Sequence, residues 1–260
     1  MRTRIRAESQ HLTGRRRQVA RRPPDEELVL RLQRTIGNRA TARLLQRKPE
    51  SLTKAGVKTD DRVDDKTPQR IQTAIEESEE LKPFLKDKFP KSLVTKDFEI
   101  HSDEDEFNQL AKDYLHNKDL MDKRKRADAF GDIGGFFDRS TRHIHVRSRT
   151  HFGHAVHESM HKVAHPAFHG FYGTFINEGV TQYFADRLLV EHGLGAVTDH
   201  KYWDELDCAK KLVALTDWQT VARAYFQNDT TLRDAMLKKL NMDAGQFQRE
   251  MNAGRVCARL

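Results

Sequence analysis

Residues 157–161 read His-Glu-Ser-Met-His, and residues 175–184 read FINEGVTQYF. The first stretch has the form H-E-x-x-H and is predicted to lie on a helix, where side chains four residues apart share one face. The imidazoles of His157 and His161 can then reach one metal ion. Glu158 is one step further round the helix, where its carboxylate can accept a proton from a metal-bound water. The sequence therefore predicts a metal-dependent hydrolytic site.

Glu178 is the predicted third ligand of that ion. It lies 17 residues after His161, beyond Pro166, which is predicted to end the first helix, and beyond a loop at residues 170–173. A second helix is predicted to begin near Asn177, so an antiparallel helix pair would bring Glu178 to the open side of the two imidazoles. Two histidines and one carboxylate, with a water in the fourth position, form a catalytic zinc site. The alternatives are a surface helix that carries several histidines and a first-turn acid that serves only the helix dipole.

Together the two stretches resemble the gluzincin branch of the zincin metallopeptidases. Those enzymes carry the third zinc ligand as the glutamate of an N-E-G or E-G motif on the helix after H-E-x-x-H. The resemblance covers about residues 130–190, and more loosely residues 67–260. It implies a zinc-dependent peptidase that acts on a polypeptide substrate, with Glu158 as the general base. The chain lacks the Gly-x-Met-Glu-Asn segment of aminopeptidase relatives, which favours an endopeptidase.

A hairpin is predicted upstream, in GGFFDRSTRHIHVR (134–147), with strands near residues 135–137 and 143–147. It resembles the hairpin whose second strand forms the upper edge of the substrate cleft in such folds. There an extended peptide adds to the sheet by β-augmentation. The alternative is an ordinary amphipathic strand at residues 143–146.

Two further roles stay open at the level of sequence. His157 needs an outer partner that fixes its orientation, and some relatives place an aspartate four residues after the glutamate ligand. That position is Gln182 here, while Asp186 lies one turn further along, so either can be the partner. A donor to the developing oxyanion is also expected, and its candidates are Tyr172, Tyr225 and His169.

The predicted elements are mixed α and β at first and then α alone, which indicates an α+β domain. We expect a zincin-like domain at residues 67–260, with a small sheet, an edge hairpin, the H-E-x-x-H helix, the Glu178 helix and C-terminal helices. Outside the hairpin, the predictions are a strand at 92–101 and helices at 67–81, 102–115, 150–165, 177–192, 202–215, 217–227 and 231–240.

The N-terminal part differs in composition from the rest. Residues 1–50 hold 14 Lys and Arg against 5 Asp and Glu, a net charge of +9, whereas the remaining 210 residues hold 32 against 34, a net of −2. Residues 1–24 are Arg-rich and predicted to be disordered, residues 25–47 to be helical, and residues 48–66 to form a linker. The basic character of the chain therefore belongs to its N-terminal tail.

Residues 32–47 read LQRTIGNRATARLLQR. They resemble an L-Q-R-x-x-G-N-R-A-x-x-x-L-L-Q-R element in proteins encoded with bacterial extracellular contractile injection systems. The resemblance implies a cargo protein that contacts a loading partner through residues 25–47 and is delivered to a target cell. The alternatives are a plain basic amphipathic helix and a nucleic-acid-binding tail. Nucleic acid is the less favoured partner, because no aromatic residue is interleaved with the arginines.

The chain has two cysteines, Cys208 and Cys257. Two widely spaced thiols do not indicate a disulfide scaffold, so a reduced cytosolic origin is expected. No run of 18 apolar residues exists, so no transmembrane helix is expected, and the Arg-rich start lacks the apolar segment of a secretory signal peptide. We therefore expect synthesis in a bacterial cytoplasm without a secretion signal, followed by loading into an injection particle.

The leading hypothesis is a zinc metalloendopeptidase that serves as a bacterial effector or toxin. One alternative is a non-catalytic cargo or adaptor that keeps the zincin fold. Another is a regulatory protease whose basic tail binds DNA. Zinc content without cleavage of any unfolded protein would favour the adaptor, and a lack of DNA binding by residues 1–66 would exclude the regulatory protease.

Overall fold

The structure is a computed structural model that describes residue 58 and residues 61–85, 94–116, 133–195, 202–252 and 255–260. The predicted tail at residues 1–24, the predicted helix at 25–47 and most of the predicted linker at 48–66 lie outside the described residues. The end of that linker packs on the domain. Val63 is buried, its N–H donates to the Thr150 carbonyl, and Phe152 donates to the Asp61 carbonyl.

The described residues form a mixed α and β structure with one small sheet and many helices. The strands are β1 (Phe98–His101), β2 (Gly135–Asp138) and β3 (His143–Arg147). The helices are α1 (Thr67–Glu77), α2 (Lys82–Leu85), α3 (Glu104–His116), α4 (Phe152–Val163), α5 (Pro166–Glu191), α6 (Trp203–Leu215), α7 (Trp218–Gln227), α8 (Thr231–Leu240), α9 (Ala244–Asn252) and α10 (Val256–Arg259). None of these helices is both long enough and apolar enough to cross a lipid bilayer.

The sheet has the strand order β1-β3-β2, with β3 parallel to β1 and antiparallel to β2. The predicted hairpin is confirmed to within one residue. The expectation that its second strand forms the edge of a cleft is wrong, because β1 pairs with β3 on the side away from β2. In the described sheet the edges are therefore β1 and β2. The predicted strand at 92–101 is confirmed only from Phe98 onward, because Asp97 adopts a left-handed φ of 65° that interrupts an extended chain.

The two faces of the sheet carry different side chains, as the alternation along a strand requires. Ile144 and Val146 of β3 are fully buried in the main core, to which α4 also contributes. The opposite face carries a smaller apolar cluster with Phe107 of α3 and Phe136 of β2. The sheet thus lies between the H-E-x-x-H helix on one face and α3 on the other.

The pair of helices that was predicted to carry the ligands is present, but the first is shorter than predicted and the second begins earlier. The first, α4, ends at Val163, and the His165 side chain then accepts a hydrogen bond from Ala167 N to cap the next helix. The predicted loop at 170–173 reduces to a single break at Gly173, whose φ of 71° and ψ of 175° are non-helical. The Glu178 helix therefore begins just after Gly173, and it ends before Gly193, whose positive φ of 75° is typical of a glycine that follows a helix.

Cys208 of α6 and Cys257 of α10 form a disulfide, with their Cα atoms 5.4 Å apart. This bond was not predicted from two widely spaced thiols, for which a reduced cytosolic origin was expected. Their 49-residue separation conceals the pairing in the sequence, but the fold brings α10 back against the core that contains Cys208. A disulfide that closes a loop of this length stabilises the fold by about 2–4 kcal/mol.

Candidate metal centre

The three predicted ligands come together in the structure. His157 Nε2 and His161 Nε2 lie 3.1 Å apart, as helical i, i+4 spacing requires, and they lie 3.2 and 3.1 Å from Glu178 Oε2. A tetrahedral zinc ion with bonds of about 2.1 Å separates its ligand atoms by about 3.4 Å. The donor atoms and their spacing therefore fit a zinc ion that uses two imidazoles and one carboxylate.

The centre is set deep in the fold, with one more accessible side. The side chains of His157 and His161 are 3% and 6% exposed, and that of Glu178 is 16% exposed. Burial would raise the pKa of Glu178, but the charges of His161 and His157 and their hydrogen bonds outweigh it and hold the pKa well below its ordinary value. Glu178 is therefore a carboxylate at neutral pH, which is the form that binds a cation.

The outer partner of His157 is Gln182, with Asp186 directly behind it. Gln182 Oε1 lies 2.9 Å from His157 Nδ1, and Gln182 Nε2 donates to Asp186 Oδ1 at 2.9 Å. Because the amide nitrogen faces Asp186, the amide oxygen must accept from His157 Nδ1–H. That hydrogen bond leaves the Nε2 lone pair of His157 directed at the metal position. Gln182 and Asp186, between which the sequence does not decide, therefore both have a role: Gln182 contacts His157, and Asp186 holds Gln182 in place.

His161 is supported by a different group of partners. Its Nδ1 lies 3.1 Å from Thr181 Oγ1 and 3.1 Å from the side-chain amide of Asn177. Thr181 Oγ1 is 2.7 Å from the Tyr225 hydroxyl, which donates to the Met160 carbonyl at 3.1 Å. Tyr225, one of the candidate oxyanion donors, therefore lies behind His161 and supports that ligand from the protein interior.

The other two candidate donors also have partners of their own. Tyr172 is buried against Phe168 and Phe171, with ring centroids 4.4 and 4.9 Å apart. His169 Nε2 lies 3.2 Å from Thr174 Oγ1. Neither contact involves the three ligands.

Tyr202, which sequence reasoning missed, is the tyrosine that lies against the centre. Its ring stacks on the His157 imidazole, with centroids 5.2 Å apart and planes only 7° from parallel. Burial raises the pKa of Tyr202 well above its ordinary value, and the charges of Glu178 and Glu158 add to this rise. The hydroxyl therefore stays protonated and can donate. No motif marks Tyr202, because it lies on a separate segment that only the fold brings to His157.

Glu158 lies between the helix and the sheet. The Phe137 main-chain N–H hydrogen-bonds to its carboxylate, and Tyr114 donates to the Phe137 carbonyl at 2.9 Å. Burial raises the pKa of Glu158, and the charge of Glu178 adds to the rise, while the charges of His157 and His161 act against it. A carboxylate whose pKa is raised in this way is a better proton acceptor than one with an ordinary pKa.

Gly179, the residue after Glu178, allows a close helix contact. A Cβ at this position would lie 1.9 Å from the Glu205 main-chain oxygen, so α6 crosses α5 almost backbone to backbone. That approach brings the start of α6, directly after Tyr202, to the turn of α5 that carries Glu178. The glycine of the N-E-G stretch therefore has a structural role that the sequence alone does not specify.

Comparisons with protein-family models, with curated proteins and with solved structures found no match to this chain. The chemistry of the centre is therefore inferred from its donor atoms and their surroundings. The resemblances to the gluzincins and to the injection-system element stay predictions.

Proposed function

We propose that this chain is a zinc-dependent metalloendopeptidase of the gluzincin type. The observation that carries the proposal is the arrangement of His157, His161 and Glu178, whose donor atoms are 3.1–3.2 Å apart, with Glu158 on the adjoining helix position. This donor set leaves a fourth position for water or substrate, which distinguishes a catalytic zinc centre from a structural one.

Each residue of the centre has a separate role in amide hydrolysis. A zinc ion held by the three ligands would lower the pKa of its water and polarise the scissile carbonyl. The Glu158 carboxylate accepts a proton from the attacking water and passes it to the leaving amine nitrogen. The Tyr202 hydroxyl, kept protonated by its surroundings, donates to the oxygen on which negative charge develops. Gln182 and Asp186 keep His157 in the tautomer that binds metal.

The proposed substrate is a polypeptide. Because Phe137 already uses its main-chain N–H for Glu158 and its carbonyl for Tyr114, β2 does not present a fully free edge to an added strand. We therefore do not propose that the substrate binds as an added strand along the whole of β2. Cleavage of an unstructured protein is the expected activity.

The test is the Glu158→Gln variant of the full chain, compared with its parent in zinc content and in hydrolysis of a labelled unfolded protein. We expect unchanged zinc content and a fall in kcat of about 10²–10⁴-fold, since the amide cannot accept the proton. Glu77→Gln, at an exposed position of α1, is the matched control and should cleave like the parent. Equal rates for Glu158→Gln and the parent would reject the mechanism.

We further propose that the enzyme is a cargo of a contractile injection particle, loaded through residues 25–47. The disulfide between Cys208 and Cys257 supports export, since such bonds form and persist in oxidising surroundings. A chain that lacks residues 25–47, expressed with an injection system, should fail to enter the particles while it keeps its zinc. Normal incorporation of that variant would reject the loading role.

The competing function is a non-catalytic cargo or adaptor that binds zinc. The position of Glu158, hydrogen-bonded beside the two histidines, favours the enzyme, because an adaptor has no need of a proton acceptor at that position. A zinc-loaded parent that cleaves no unfolded protein would favour the adaptor.

A further inference from the structure

A second group of metal-binding side chains lies on the sheet. Glu99 and His101 of β1 and His143 and His145 of β3 occupy alternate positions on their strands. In the parallel pairing, Glu99 is the partner of His145 and His101 is the partner of Arg147, so all four side chains project from the same face. This is the face that α3 covers, opposite the one that α4 packs against.

The donor atoms of this group have the spacing of a metal site. Glu99 Oε2 lies 3.3 Å from His145 Nδ1 and 3.7 Å from His101 Nε2, and the two nitrogens are 3.1 Å apart. These values bracket the separation of about 3.4 Å expected for ligands of a tetrahedral zinc ion. The three atoms thus form a triangle like that of His157, His161 and Glu178.

His143 and Asp97 extend the group on its solvent side. His143 Nδ1 lies 2.9 Å from the other carboxylate oxygen of Glu99, and His143 Nε2 lies 3.6 Å from Asp97 Oδ1. One donor atom each from Glu99, His143 and His145 falls within 4.8 Å of the others. His143 can therefore hold one oxygen of the Glu99 carboxylate while the other oxygen, Oε2, faces the position of an ion. Outer partners of metal ligands have this role.

Neighbouring aromatic rings hold the imidazoles of His101 and His145 in place, while the Glu99 side of the group is open to solvent. The His145 ring stacks on Phe136 with centroids 4.9 Å apart, and the His101 ring lies 5.7 Å from Phe107. Their side chains are 11% and 9% exposed, whereas that of Glu99 is 45% exposed. An ion at this position would have three protein ligands and access to water for the remainder of its coordination.

We propose that Glu99, His101 and His145 hold a second zinc ion, with His143 orienting Glu99, and that this ion fastens β1 to the centre of the sheet. Imidazole nitrogens with one carboxylate suit zinc better than calcium or magnesium, which prefer oxygen ligands throughout. β1 has only four residues and pairs with one described strand, so a metal crosslink to β3 would stabilise its attachment. The proposal is independent of the peptidase activity.

The experiment measures zinc by elemental analysis in the full-length chain, dialysed to equilibrium against low micromolar free zinc. We expect two equivalents in the parent. One should remain in the His157→Ala/His161→Ala double variant, which lacks the first centre. One should also remain in Glu99→Gln, which keeps the first centre. Glu104→Gln, whose side chain is 50% exposed at the start of α3, is the matched control and should keep both.

The double variant removes two buried side chains, so zinc-induced thermal stabilisation is measured in the same background to check that the variant folds. Zinc should raise Tm in the double variant, because a ligand that binds only the native state stabilises it, and adding Glu99→Gln should abolish that rise. Glu99 is well exposed, so its substitution should leave the fold intact. One equivalent in the parent, none in the double variant and no effect of zinc on Tm would overturn the proposal. The four side chains would then form a hydrogen-bonded network only.

Discussion

The two groups of ligands use the same chemistry on different scaffolds. Each has two histidines and one glutamate, with donor atoms 3.1–3.2 Å apart in the first group and 3.1–3.7 Å apart in the second, but the first group lies on two helices and the second on two strands. The first carboxylate is 16% exposed and the second 45% exposed. The first group also has Glu158 and Tyr202 beside it, whereas the second has aromatic rings from α3 and β2. If both groups bind zinc as we propose, comparing them distinguishes what is needed to bind a metal from what is needed for catalysis.

The largest expected contrast is in catalysis. Glu178→Ala removes a ligand from the first centre and should lower cleavage of an unfolded protein by more than about 10²-fold, beyond the loss typical of an outer partner. Glu99→Ala should leave the rate within about twofold, since the sheet separates it from Glu158. Steady-state cleavage assays of both variants measure the contrast. A comparable loss in Glu99→Ala would show that the centres are not independent.

A second contrast concerns the helix crossing that supports only the first centre. Gly179→Ala would place a methyl group against the Glu205 carbonyl, so α5 and α6 must separate, and we expect a loss of about 3 kcal/mol or more in the free energy of unfolding. Gly170→Ala is the control, because a Cβ there meets nothing within 4 Å. In urea denaturation, the free energy of unfolding of Gly170→Ala should equal that of the parent or be slightly higher. A Gly179→Ala variant as stable as Gly170→Ala would contradict the close crossing.

The third contrast is between the tyrosine beside the first centre and a tyrosine away from it. Tyr202→Phe keeps the ring that stacks on His157 but removes the donor, so kcat should fall by about 10²-fold with zinc content and KM little changed. Tyr172→Phe should leave kcat within about twofold. Steady-state kinetics with parallel zinc analysis distinguishes the two. An unchanged kcat in Tyr202→Phe would remove it from the mechanism.

The smallest contrast lies in the outer partners. Gln182→Leu removes the acceptor of His157 Nδ1–H inside the protein, where water cannot easily replace it, so zinc affinity at the first centre should fall by about 10–100-fold. His143→Ala should weaken the second centre by less, because its side chain is 34% exposed and water can take its place beside Glu99. Competition titrations with a zinc chelator measure both. The opposite order would mean that His143 binds the ion directly.

The same comparison explains what the sequence could predict. The i, i+4 spacing of the first centre lies within five residues, so His157, Glu158 and His161 could be identified directly. Glu178 followed from the predicted antiparallel helix pair, with the resemblance as further support, and the structure brings it within reach of both imidazoles. The second centre depends on the register of two strands more than 40 residues apart, and no local pattern encodes that register.

Other features were beyond prediction for the same reason. The hairpin and most helices were predicted well, because turns, caps and apolar periodicity are local signals. The position of β3 at the centre of the sheet, the stacking of Tyr202 on His157 and the disulfide between Cys208 and Cys257 all depend on contacts between distant segments. Local sequence patterns specify the helices and strands. Packing between distant segments determines which strand edges and helix faces remain accessible.

The most direct test of the central claim is the zinc content of the full-length chain with the second group disabled by Glu99→Gln. Our account predicts one equivalent of zinc in that variant and its loss when Glu178→Ala is added, since the two remaining imidazoles hold zinc much more weakly than three ligands do. Absence of zinc from Glu99→Gln under zinc-replete conditions would contradict the assignment of His157, His161 and Glu178 as a metal centre.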